Sequence, residues 1–187
     1  LGDVYKRQRS HPSVHYWVGT AEQPAIPSSS LDLITVSQAL HWFDLDMFYA
    51  EARRTLRPDG VLAVWGYGLI EVSPEVDRLV TLFHDDVLGR FWSPRTRLVI
   101  DRYRSIAFPF SEFSPPDFDL AAEWRLEDLL GFLSSWSALH TLIAENGDNP
   151  LEEMRPGFVR AWGNPERAHR VRWPFFMRIG RRKRGIT

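Results

Sequence analysis

The 187-residue sequence contains no cysteine, which excludes disulfide bonds and thiolate metal sites and fits a cytoplasmic protein. No apolar run approaches the length needed to cross a bilayer, so no membrane partner is expected. Internal repeats and low-complexity blocks are absent. Gly-x-Gly occurs once, at Gly66-Tyr67-Gly68, after a strand-like run and without a following dinucleotide fingerprint, so a nicotinamide oxidoreductase is remote. A hydrolase is equally remote, because there is no Gly-x-Ser-x-Gly elbow. His84-Asp85-Asp86 cannot turn all three side chains to one point on a helix, and no metal is expected.

What is present describes a soluble globular chain. A content of 44% hydrophobic and 25% charged residues supports one domain with a core of its own. The net charge of −1 is unevenly spread. Residues 1–150 carry 13 Lys or Arg against 21 Asp or Glu, and residues 151–187 carry 10 against 3. The basic end, 183–187, reads as a solvated tail after a last strand. No RNA-binding motif or aromatic platform accompanies it, so no nucleic-acid partner is expected. Leu1-Gly2-Asp3-Val4-Tyr5-Lys6-Arg7-Gln8 resembles translated sequencing-adapter sequence and is set apart as residues 1–8; the native reading is expected to start near Arg9.

The organising stretch is Leu31 to Gly68. Leu33 to Val36 is a short β-branched run without alternation, as expected of a strand covered on both faces. Asp44 or Asp46 can cap a helix in which Leu45, Phe48, Ala52 and Leu56 share a face, with Glu51, Arg53 and Arg54 turned elsewhere. Pro58-Asp59-Gly60 should stop that helix and turn the chain into a second strand, Val61 to Trp65. Strand, helix, strand is a βαβ unit, which crosses over right-handed into a parallel sheet. Ligands of such sheets bind beyond the carboxyl ends of the strands. Ser37-Gln38-Ala39-Leu40-His41-Trp42-Phe43 and Gly66-Tyr67-Gly68 occupy that edge.

Upstream, Val14 to Val18 reads as a strand ended by Gly19. Downstream, a helix should start at Ser73-Pro74-Glu75, with Ser73 as cap and Pro74 in the first turn. Leu88 to Tyr103 lacks periodicity. Phe118 to Trp124 is a further strand. Leu126 to Leu139 presents one helical apolar face, a helix spans Leu151 to Trp162 with Gly163-Asn164-Pro165 as its stop, and Val171 to Ile179 is the final strand. Pro174 within that strand is tolerated only at an edge or a bulge.

Several segments occur in the order seen in one family. They are Gly19-Thr20-Ala21-Glu22, Asp32-Leu33-Ile34, Ala39-Leu40-His41-Trp42-Phe43 and Glu51-Ala52-Arg53-Arg54-Thr55-Leu56-Arg57-Pro58-Asp59-Gly60. In that order the chain resembles the class I S-adenosylmethionine-dependent methyltransferases. His41-Trp42-Phe43, Phe108-Pro109-Phe110 and Trp136-Ser137-Ala138 look like the trans-aconitate methyltransferase-like branch. The resemblance implies an α/β, Rossmann-like fold: a mostly parallel sheet with an antiparallel last strand at the sheet edge. The first strands and their acidic Gly-x-Gly-x-Gly turn have no counterpart here. Residues 9–182 would then be a partial methyltransferase domain with a cap-like segment at about 69–113, inactive in isolation. The missing turn is expected upstream of Arg9.

The same resemblance implies S-adenosyl-L-methionine as cofactor and a small-molecule substrate. It implies cofactor contacts from Thr20, Ala21 and Glu22 at the adenine edge, and from Gln38, Ala39 and Trp42 beyond the central strand. Many relatives carry Asp where Thr20 stands. Substrate contacts are expected from His41, Trp42, Tyr67, Trp92 and Trp136, whose rings could flank a sulfonium or an apolar acceptor. If the acceptor is a carboxylate, the favoured case, no general base is needed and arginines such as Arg90, Arg95, Arg97, Arg102 and Arg104 would hold it. If it is a hydroxyl, His41 is the base candidate. His41 as a pocket-lining hydrogen-bonding residue is the competing reading. The non-enzyme alternative is a methyltransferase-like binding or partner subunit that has lost cofactor use.

Overall fold

The computed structural model describes residues 11–183. The adapter-like segment 1–8, the start near Arg9 and residues 184–187 of the basic tail lie outside the described residues.

Strands β1 (Leu31–Ser37) and β2 (Leu56–Tyr67) pair in parallel and are joined through helix α1 (Leu45–Thr55). Asp44 begins the helix: its carboxylate accepts from the Met47 N–H at 3.1 Å, a cap worth about 1 kcal/mol. Phe48, Tyr49, Ala52 and Thr55 are buried beneath it. Pro58-Asp59-Gly60 does not separate helix from strand as expected. Leu56 already pairs with Leu31, and the register then jumps to Leu33 opposite Val61, so 57–60 form a bulge inside β2. Pro58 has no N–H for the ladder, and Asp59 adopts a left-handed φ of 66° that lets the chain fold out and return.

The last strand, β6 (Phe175–Arg181), runs antiparallel to β2. It is not at the sheet edge, because the three-residue β3 (Ser111–Phe113) pairs with its other side. The order is β1-β2-β6-β3, which leaves β1 outermost. Leu33 is 53% exposed, so β1 is not covered on both faces as expected. Val14 to Val18 forms no strand apart from an isolated His11–Val14 bridge, and Trp17 and Val18 face solvent. Its β-propensity has no ladder partner to act on among the described residues.

A helical lobe packs beside the sheet. Helix α2 (Pro74–Leu82) is capped as read from the sequence, Ser73 Oγ accepting from the Val76 N–H, with Pro74 in the first turn. It runs into a π-turn, Phe83–Val87, and α3 (Thr96–Ile100) follows a short irregular link. Strand β4 (Leu120–Trp124) pairs antiparallel with β5 (His169–Trp173) in a separate two-stranded sheet instead of joining the main one. Between them lie α4 (Leu126–Ser134), α5 (Ser137–Asn146) and α6 (Pro150–Trp162). The apolar face expected as one helix over 126–139 is broken at Ser135 and Trp136, where the Ser135 hydroxyl donates to the Phe132 carbonyl at 2.6 Å and Trp136 turns extended.

The expected single strand 171–179 is likewise divided. Pro174 interrupts it, β5 serving the lobe and β6 the main sheet, and the Gly68 N–H donates to the Pro174 carbonyl at 3.0 Å. Two apolar cores result. One unites α2, α4, α5 and α6 with Val171 and Trp173. The other unites β1, α1 and β2 with Val99, Tyr103, Ile106 and Phe110. Leu126, Leu129 and Leu133 alone each contribute about 1.5–3 kcal/mol to the first by burial. The segment 69–113 thus feeds both cores, and the lobe draws mainly on residues beyond it.

Candidate functional site

The site forms where β1 ends. Gln38 leaves the strand with a left-handed φ of 50°, which turns its side chain back along β2. Its Oε1 accepts from the Tyr67 N–H at 3.1 Å, its Nε2 donates to the Tyr67 carbonyl at 3.4 Å, and its own N–H donates to Trp65 at 2.9 Å. The side-chain amide therefore continues the β1–β2 ladder by one more rung. Ala39 follows, packed against the sheet core, and Leu40–Trp42 make a single 3₁₀ turn. Leu40 and His41 are buried, whereas Trp42 is 48% exposed, its indole 4.6 Å from the imidazole.

Three further residues fix that turn. The Tyr103 hydroxyl lies 2.9 Å from His41 Nδ1, across 62 residues of sequence. Arg95 donates from Nη1 to the Trp42 carbonyl at 2.6 Å and to the His41 carbonyl at 3.5 Å, placing a cation at the carbonyl end of the turn. Glu22 Oε1 accepts from the Asp44 N–H at 3.0 Å and so fastens the 20–22 loop to the start of α1. Burial, and then the Arg95 guanidinium, lower the pKa of His41 to about 4. Burial raises Tyr103 to about 12, against the opposing effect of hydrogen bonds from the His41 and Leu40 backbone.

The residues expected from the sequence therefore divide. Glu22, Gln38, Ala39, His41 and Trp42 come together, with Thr20 exposed and Ala21 half-buried on the adjoining loop. Tyr67 joins them through its backbone, while its ring meets Trp173 edge-on at 6.3 Å, and burial raises its pKa. Trp92 and Trp136 belong elsewhere. They lie 5.5 Å apart in the lobe, Trp136 stacked on Phe83 at 5.8 Å and the Trp92 indole N–H donating to the His84 carbonyl at 3.0 Å. Both pack against the lobe core. Among the candidate arginines, Arg104 donates to Asp101 and Arg90 lies over Phe91; of the five, Arg95 is the one that bonds to the turn among the described residues. Tyr103 was not anticipated. It lies in an aperiodic segment, and the one local signal is backbone: Arg102 and Tyr103 both have left-handed φ, 55° and 57°.

An open cleft of about 890 Å³ lies away from this turn, between the start of α2 and the β4–β5 pair. Glu71, Asp77, Asp117, Asp119, Arg170 and Arg172 line it, and Asp119 pairs with both arginines. None of the site residues expected from the sequence borders it. Among the described residues no three His, Cys, Asp or Glu side chains are grouped to hold a metal, and no helix is long and apolar enough to cross a membrane.

Comparison with known proteins bears on the same turn. A family model described as a methyltransferase domain matches residues 3–64, ending within β2. A provisionally named methyltransferase of Dictyostelium discoideum is 29% identical over 177 residues, covering 91% of this chain and 67% of that protein. An uncharacterized methyltransferase of Schizosaccharomyces pombe is 27% identical, covering 81% of this chain; the chain spans 58% of that relative's length. Among solved structures, a provisionally assigned type II methyltransferase from Anaeromyxobacter dehalogenans superposes with a TM-score of 0.85 at 40% identity, covering 96% of this chain and 77% of that one. Such identity over most of both chains, with a parallel β1–β2 unit and an antiparallel last strand, has one reading: the chain belongs to the class I S-adenosylmethionine-dependent methyltransferases.

Proposed function

We propose that this chain, in a protein that also carries the glycine-rich turn, helps transfer a methyl group from S-adenosylmethionine to a small-molecule carboxylate, as the trans-aconitate-like resemblance suggests. The cofactor would supply an electrophilic sulfonium methyl. Its adenine end fits the donor set gathered here: the Thr20 hydroxyl, one Glu22 oxygen held by Asp44, and the exposed Trp42 indole face. Gln38 supports the pocket from behind, since its amide is occupied by Tyr67.

The observation that carries the carboxylate reading is Arg95. Its Nη1 is anchored on the Trp42 carbonyl, and its Nε and Nη2 make no hydrogen bond among the described residues. A guanidinium held by one nitrogen presents the remaining fork to a carboxylate. Such an acceptor needs alignment and exclusion of water and no proton removal, which suits a buried histidine that stays neutral to about pH 4.

The test is methyl transfer to a panel of small carboxylic acids and phenols, with wild type, Arg95→Ala and His41→Ala side by side. Carboxylates are expected to be methylated, and Arg95→Ala to raise KM about tenfold or more, the equivalent of one charge-assisted contact. Phenol methylation that collapses in His41→Ala would overturn the reading.

A further inference from the structure

We infer that Tyr103 is a positioning residue: its hydroxyl holds His41 in the Nε2–H tautomer, so that the ring offers a hydrogen-bond donor, not a base, at the acceptor side of the turn. The donor role rests on the methyl-transfer reading above; the tautomer does not.

The argument follows the protons. A hydroxyl carries one proton and accepts through its oxygen. Tyr103 is fully buried, and its own O–H requires an acceptor there. The acceptor within reach is His41 Nδ1, 2.9 Å away. If Nδ1 carried the proton instead, it would donate to the phenol oxygen and the buried Tyr103 O–H would be left without a partner. Nδ1 therefore accepts, and the ring proton resides on Nε2.

The fold fixes Tyr103 for this purpose. Its N–H donates to the Leu98 carbonyl at 2.8 Å, and its carbonyl accepts from Arg178 at 2.7 Å. Its ring meets Phe176 of β6 edge-on at 5.3 Å. Two consecutive non-glycine residues with left-handed φ are costly and persist only when surrounding contacts over-determine them. Here that strain sets one phenol against one imidazole, from a segment far along the chain.

The tautomer is readable without turnover. The probe is the 187-residue chain labelled with ¹⁵N-histidine, with His41 identified by the signal lost in His41→Asn. Long-range ¹H–¹⁵N spectra at neutral pH are expected to show a proton on Nε2 and an unprotonated Nδ1. A proton on Nδ1, or averaging between the two forms, would overturn the inference. Tyr103→Phe is expected to lose the single-tautomer signature while the β2 amide signals hold; an unchanged His41 pattern in a folded variant overturns the lock. If that variant does not fold, the wild-type spectrum decides alone. Citrate, as a tricarboxylate probe, is expected to shift Nε2, and a resonance that ignores it overturns the donor role. The tautomer spectra contain no cofactor or acceptor, so failure of carboxylate methylation would leave them unchanged and be told apart.

Discussion

Acidification should destabilise the protein through His41 in a window set by that one ring. The unfolded chain binds a proton at His41 near pH 6.5, the folded chain only near pH 4, because burial and then Arg95 penalise the imidazolium. Between those values the unfolded state holds more protons, so stability rises with pH through the window and the whole contribution is lost below about pH 4. At about 1.4 kcal/mol per pKa unit the shift corresponds to at most about 3 kcal/mol, nearer 2 when the solvent access of the exposed turn is allowed for. His41→Asn keeps an acceptor for the Tyr103 hydroxyl and removes the titration. Urea unfolding followed by tryptophan fluorescence, repeated in steps from about pH 7.5 to 4.5, should show wild type losing about 2 kcal/mol more than His41→Asn. The carboxylates held low by hydrogen bonds, Glu51 by Arg54, Asp101 by Ser105 and Glu112 by Arg178, act in a lower window. Their contribution is present above the ordinary carboxylate pKa and is lost as pH falls through the folded value. Parallel wild-type and His41→Asn curves across the upper window would refute the reasoning.

Two further substitutions test the scaffold beneath the turn. Arg178 donates to the Tyr103 and Ile106 carbonyls at 2.7 and 2.6 Å, pairs with Glu112 at 2.8 and 3.0 Å and lies over Phe108; Arg178→Ala should lower stability by about 2–4 kcal/mol in urea unfolding, and a loss under about 0.5 would show these bonds to be incidental. Gly66 leaves no room for a side chain, since a Cβ would stand 2.5 Å from Phe176 Cζ and 2.7 Å from Gln38 Oε1. Gly66→Ala should cost about 1–3 kcal/mol and speed exchange of the Tyr67 amide; an unchanged exchange rate would show that the Gln38 clamp survives.

The parts legible in the sequence are those set by neighbours in sequence. Asp44 and Ser73 cap their helices because a side-chain oxygen three residues ahead of an N–H is a local geometry. The β1–α1–β2 unit follows from apolar runs of the right lengths, and Pro150–Trp162 from its cap and stop. Failures begin where a partner must be found at a distance. Val14 to Val18 has strand composition but no ladder beside it, and Pro58-Asp59-Gly60 has turn chemistry that a strand absorbs as a bulge because Leu56 was already paired with Leu31. Phe118 to Trp124 meets β5 and not the main sheet because Pro174 breaks the long strand that both sheets share.

The site divides along the same line. Gln38 to Trp42 could be read because a short polar segment after a central strand lies at the carboxyl edge whatever else the chain does. What the turn does chemically is decided from outside it. Spacing marks His41 as a titratable ring at a sheet edge, open to a base role or to that of a pocket-lining hydrogen-bonding residue. Arg95 and Tyr103, 54 and 62 residues further on, remove that ambiguity: one discourages a positive charge, the other occupies Nδ1. Neither sits in a periodic pattern, and Trp92, which does lie near Arg95 in sequence, turns into the lobe instead. A cation and a phenol delivered by an irregular, strained segment to a turn built by a regular one is why this histidine's role appears only when the two are seen together.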